Sequence, residues 1–138
     1  MGAPGSGKST WVKANSTGAE HVYCLDAIRA NRDLDIASFS YLSRIKAVKA
    51  VESGKSLIAD ATHTFKAHRQ VWLTLADRLG LETKLVVYNT QLNTLFEVQK
   101  NREFATPRNV VVDHHRRIQL AKHQVKREGW GEIEVINR

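Results

Sequence analysis

Gly2-Ala3-Pro4-Gly5-Ser6-Gly7-Lys8-Ser9 fits the pattern G-x-x-x-x-G-K-[ST], a loop whose backbone N–H groups converge on one anion. Convergence needs an open approach and free access to positive φ, which Gly5 and Gly7 provide. A helix starting where the loop ends would aim its N-terminal dipole at the same anion. In this reading Lys8 reaches the β- and γ-phosphates of a nucleoside triphosphate, and Ser9 holds Mg²⁺ through its hydroxyl. The expected nucleotide contacts are therefore Gly5, Ser6, Gly7, Lys8, Ser9 and Thr10. A glycine-rich turn before a helix, with Lys8 merely solvated, is the plainer alternative. Such a loop ordinarily follows a buried strand, yet only Met1 stands before Gly2. The feeding strand is thus expected to be absent from this sequence and to lie upstream, since without it neighbouring strands keep unpaired backbone groups.

A chain of 138 residues suits one domain, taken as 1–138. No apolar run approaches membrane-span length, and no membrane partner is expected. Cys24 is alone, which excludes a disulfide framework or a cysteine metal site and points to a reducing, cytoplasmic setting with no leader. The net charge of +7 favours a polyanion near the surface and raises the odds on a nucleic-acid partner.

Outward from the loop, Ser9 to Asn15 reads as a helix and His21 to Leu25 as a short strand running into Asp26. Asn31 to Ser38 is polar and reads as loop. From Ser40 to Ser53, Tyr41, Leu42, Ile45, Val48 and Val51 recur at helical spacing until Gly54. Ser56 to Ala59 and Leu85 to Tyr88 are apolar runs closed by Asp60 and Asn89, suited to buried parallel strands. Between them Ala67 to Leu79 is a helix capped by Gly80. A helix over Leu92 to Glu103, an irregular Phe104 to Pro107, a long helix over Val111 to Glu128 and a strand over Glu132 to Ile136 complete the chain. The fold class is α/β, a mostly parallel central sheet with helices on both faces, and ligands at the carboxyl ends of the strands.

That rule singles out the polar residues closing the strands. Asp26 is placed to take a proton from an attacking hydroxyl, and Asp60 to orient Mg²⁺, possibly through water, or the loop's Lys8 and Ser9. Either carboxylate could instead cap the next helix. Arg102 and Arg108 flank the irregular segment, as in a lid over approximately 100–112 that brings cations to the transferring phosphate. Arg116 and Arg117 read as a solvated or substrate-facing helix surface. The histidines form no H-x-x-x-H pair, so no metal beyond nucleotide-borne Mg²⁺ is expected; His63, close after Asp60, reads as a loop histidine at the site's edge.

Taken together, the loop through Thr10-Trp11, Asp26 with Arg29 three later, Asp60-Ala61-Thr62, Asn101-Arg102 and Arg108 resemble the kinase domain of phage-type 5′-polynucleotide kinases. The wider P-loop kinase class, which includes zeta toxins and antibiotic kinases, shares much of this outline. The resemblance implies a P-loop kinase three-layer sandwich that uses ATP and Mg²⁺ to phosphorylate the 5′-hydroxyl of DNA or RNA. It implies Asp26 as general base and Arg29 as the contact to the phosphate on the 3′ side of the acceptor nucleotide. Arg108 matches the lid arginine, Arg102 a helper, Asp60 the strand-end acid, and Thr62 an acceptor contact. A kinase of nucleosides, sugar nucleotides or antibiotics, and a nucleotide-dependent binding module without transfer, are the competing expectations.

Overall fold

Four of the apolar runs form strands, and each strand pairs in parallel with one neighbour. The computed structural model describes residues 1–24 and 36–138, so Asp26 and Arg29 lie outside the described residues. The chain divides into two compact units: Met1–Lys8 with Thr62–Arg138, and Ser9–Ala61.

In the second unit, β1 (His21–Cys24) runs parallel to β2 (Leu57–Asp60), with Cys24 paired in register with Asp60. Helix α1 (Lys8–Asn15) leads into this unit, and α2 (Ile36–Glu52) packs against β1 and β2. Tyr23, Ala47 and Val51 are its buried apolar residues. Helix α2 begins at Ile36, which corrects the loop expected through Ser38: the polar stretch before it hides a start that no capping residue announces.

In the first unit, β3 (Lys84–Asn89) runs parallel to β4 (Glu132–Asn137), preceded by α3 (Lys66–Leu79) and joined through α4 (Leu92–Lys100) and α5 (Arg108–Gln124). Gly80 ends α3 in the left-handed conformation, φ 62°, and the backbone N–H groups at the cap return to Ala76 and Asp77. Helix α4 stops at Lys100, short of the expected Glu103, because the Asn101 N–H turns back to the Val98 carbonyl. Helix α5 starts three residues earlier than its first apolar residue predicts. Pro107 sits at its N-cap and needs no N–H partner there. It also ends earlier than Glu128, tightening into a 3₁₀ turn over Val125–Arg127.

Met1 occupies a strand position. Its N donates to the Val86 carbonyl and its carbonyl accepts from Tyr88 N at 2.8 Å, the two bonds of one parallel ladder step around Val87. Gly2 N donates to the Thr62 carbonyl at 3.1 Å. The strand expected to feed the loop is therefore represented by this single step. Met1, Leu85, Val87, Ile118, Ala121 and Val125 form the main apolar cluster, so α5 holds β3 from one face. A second cluster of Ala3, Leu95 and Val111, with Leu92 and Phe96 against it, anchors the start of the loop to α4 and α5.

Candidate phosphate site and its supports

The loop leaves its strand position at Gly2 and turns back on itself, with Ser6 N donating to the Ala3 carbonyl at 3.2 Å. Gly5 and Gly7 stand at φ 86° and 95°, as a loop of converging amides requires. A β-carbon at Gly5 would lie 2.8 Å from Gln99 Nε2, and one at Gly7 would lie 2.5 Å from an Arg138 guanidinium nitrogen. Lys8 Nζ folds over the loop to the Ala3 carbonyl at 2.9 Å. Ser6 Oγ is buried and has no hydrogen-bond partner among the described residues. A phosphate-bearing ligand fits these features: they offer a lysine ammonium, an orphaned hydroxyl and glycines that keep side chains out of the way.

In the other unit, Ser9 Oγ donates to Asp60 Oδ2 at 2.7 Å, and the Cys24 thiol lies 3.9 Å from the same oxygen. Ser9 and Thr10 are exposed at the first turn of α1, and Asp60 is buried at the end of β2. A hydroxyl and a carboxylate are the hard oxygen donors that Mg²⁺ takes, with the rest of its shell from phosphate oxygens and water. Among the described residues no cluster of three His, Cys, Asp or Glu side chains could hold a metal alone.

The expected lid residues are placed as follows. Residues 101–107 join α4 to α5, with Arg102 exposed and Arg108 the first residue of α5. The Arg108 guanidinium stacks on the Phe96 ring at 4.2 Å, beside the cluster that contains Ala3. Gln99, which sequence reasoning passed over, ties loop to lid: its buried amide donates to the Pro4 carbonyl at 3.1 Å and accepts from Thr106 N at 2.8 Å. No periodic pattern distinguishes it from any other helical glutamine. Gln99→Leu strands both groups, at about 1–3 kcal/mol each. The expected result is a destabilised protein with a raised KM for ATP, read by chemical denaturation and by initial rates.

Thr62 is half-buried and accepts the Gly2 N–H through its carbonyl. The next residue, His63, is not an exposed edge group. It is buried in the left-handed region, φ 47°, and accepts a hydrogen bond at Nε2 from Trp72 Nε1 at 2.7 Å. Burial pushes its imidazole down to about 3, with the cationic His68, Arg69 and Lys8 adding to the effect. The unfolded chain takes up this proton near pH 6.5 and the folded one does not, so the group's contribution is complete above pH 6.5 and is lost as pH falls from there toward 3. Denaturant midpoints should fall between pH 7.5 and 4.5. His63→Asn, which tolerates the same backbone conformation, should flatten that slope.

Beneath His63 lies an ion pair that sequence reading also missed. Arg69, 1% exposed, donates to Glu128 through Nε at 2.8 Å and through a terminal nitrogen at 2.5 Å, and its third arm donates to the His63 carbonyl at 2.9 Å. Arg117 stacks on the Phe65 ring at 4.1 Å and pairs with Asp113, a packed position rather than a solvated one.

A family model described as an AAA domain matches residues 1–125. No curated protein matches the chain. No helix among the described residues is long and apolar enough to cross a membrane.

Proposed function

The chain belongs to the AAA domain family, here a P-loop kinase-like group that binds nucleotide with Mg²⁺, and on that premise we propose that it transfers the γ-phosphate of ATP to the 5′-hydroxyl of DNA or RNA. The observation that carries the phosphotransferase reading is the Ser9–Asp60 hydrogen bond of 2.7 Å, which sets a hydroxyl and a carboxylate together immediately after the phosphate loop. Mg²⁺ held by that pair supplies neutralising charge on the phosphate oxygens. Lys8 meets the β- and γ-phosphates, and the N–H groups of Gly5 to Ser9 cradle them. Asp26, two residues past β1, accepts the proton of the attacking 5′-hydroxyl, and Arg29 binds the acceptor's next phosphate; both roles come from the family resemblance. Thr62 lies at the acceptor's edge. Arg108, aided by Arg102, meets the charge on the transferring group once it leaves Phe96.

The net charge of +7 supports a polyanionic acceptor over a neutral metabolite, and the free thiol of Cys24 suits a cytoplasmic setting. The test offers γ-labelled ATP, a 5′-hydroxyl oligonucleotide and a free nucleoside to the protein together. Label goes to the oligonucleotide, and its binding weakens as salt rises. Label on the nucleoside, with no salt dependence, would make this a small-molecule kinase instead.

A further inference from the structure

A cavity of about 370 Å³ opens where β3 gives way to α4, lined by Asn89, Thr90, Gln91, Leu92, His115 and Gln119. None of these residues enters the phosphate-transfer reading above. We propose that this cavity holds the base of the donor nucleotide, a purine read along its polar edge; the inference rests on the donor reading of the loop.

Three observations point there. The first is position. Arg138 is bonded through its backbone to both rim residues, with its N–H to the Asn89 carbonyl at 3.3 Å and its carbonyl to Gln91 N at 2.7 Å. Its guanidinium lies over the Tyr88 ring and closes on Gly7 of the loop. One residue therefore spans from the cavity's rim to the phosphate cradle, so a ligand with its phosphates in the loop has the cavity within reach of its other end.

The second is chemistry. The lining contains no carboxylate and no cation, which would suit neither a phosphate nor a metal, and it offers amides, a hydroxyl and the apolar Leu92. Amide side chains match the adjacent donor and acceptor of an adenine edge. The amides are held in place: Gln119 Nε2 donates to Asn89 Oδ1 at 2.9 Å and meets His115 Nε2 at 3.2 Å, while Lys122 donates to Gln119 Oε1 at 2.6 Å. Because Gln119 brings donors to His115 Nε2, that nitrogen accepts, and the ring is neutral with its proton on Nδ1. Burial holds the same imidazole below its usual range, with Lys122 adding to it.

The third is an unmet need. Thr90 Oγ1 belongs to a residue 4% exposed, lines the cavity and has no hydrogen-bond partner among the described residues. A buried hydroxyl left so is costly until something pairs with it, and a ring nitrogen or exocyclic amine would do so.

The experiment compares Mg-ATP with Mg-tripolyphosphate by titration calorimetry on the wild-type chain and on Gln119→Leu and Thr90→Val. The wild type should bind ATP more tightly than tripolyphosphate, and each variant should lose roughly tenfold in ATP affinity while keeping its tripolyphosphate affinity. Equal affinity for the two ligands in the wild type, or unchanged ATP affinity in both variants, overturns the base site and leaves the donor reading standing. Binding of neither ligand by the wild type overturns the donor reading itself. Should the variants fail to fold, photolabelling of the wild type with 8-azido-ATP decides: label on peptides holding residues 89–92 or 115–119 supports the cavity, and label confined elsewhere, or displaced by the acceptor oligonucleotide but not by ATP, overturns it.

Discussion

Lys8→Ala should lower γ-phosphate transfer by about 10²–10³-fold while leaving the protein folded. Removing a preorganised cation from the place where charge develops on the transferring group costs the transition state far more than the fold. In the free protein Lys8 Nζ donates to the Ala3 carbonyl at 2.9 Å, and that carbonyl also accepts from Ser6 N at 3.2 Å, so the loop's turn keeps a bond when the lysine is gone. Ala3 itself stays packed with Leu95 and Val111. Steady-state rates and a denaturation curve on the same sample separate the two effects. A variant that unfolds, or one that transfers at the wild-type rate, would show that Lys8 serves the loop's structure instead of the phosphates.

Arg69→Met should cost about 3–5 kcal/mol of stability, because it leaves the Glu128 carboxylate buried with only Trp130 Nε1 at 3.2 Å to partner it. It also strips the His63 carbonyl of its donor. The measurement is the denaturant midpoint at constant slope. The double variant Arg69→Met, Glu128→Leu should recover much of the loss, since a well-packed apolar pair avoids desolvating two charges. Arg69 holds the Glu128 carboxyl below its usual range, so this pair's contribution is present above the ordinary carboxylate pKa of 4.5 and is lost as pH falls through the depressed value. If the single variant is as stable as the wild type, the ion pair does not support the segment that carries Thr62 and His63.

These two predictions draw on opposite kinds of information. The loop at Gly2 to Ser9, the strand ends at Asp60 and Asn89, and the Gly80 cap were legible because each is a local constraint written in residue type and spacing. Positive φ at Gly5 and Gly7 and the left-handed Gly80 follow directly from the side chains that glycine lacks. The partnership of Ser9 with Asp60 followed from the rule that strand ends meet the loop. Arg69, Gln99 and Glu128 were not legible. A buried polar residue is defined by partners far along the chain, 59 positions away for Arg69 and Glu128 and 95 for Gln99 and Pro4, and no periodicity records such pairings. Helix ends also slipped, at Ile36 and Lys100, where neither a side-chain cap nor a glycine marks the boundary. His63 looked like a loop residue because its burial depends on Trp72 and on the Arg69 pair beneath it.

The lid arginines stand between these cases. Their position flanking an irregular segment was readable, whereas the stacking of Arg108 on Phe96 and the Gln99 tether that joins Thr106 to Pro4 were not. The tether gives the lid and the loop a shared residue, so a change at either is felt at the other. That is the physical reason to expect Gln99 to alter the handling of ATP as well as stability.

The central claim is that this loop donates phosphate to a nucleic-acid 5′-hydroxyl activated by Asp26. The most direct measurement is the initial rate of label transfer from γ-labelled ATP to a 5′-hydroxyl oligonucleotide, for the wild type and for Asp26→Asn, with ATP affinity determined on both. The account predicts transfer by the wild type, its loss in Asp26→Asn, and equal ATP affinity in the two. Absence of transfer to any DNA or RNA end by the wild type, or an unchanged rate in Asp26→Asn, would contradict it.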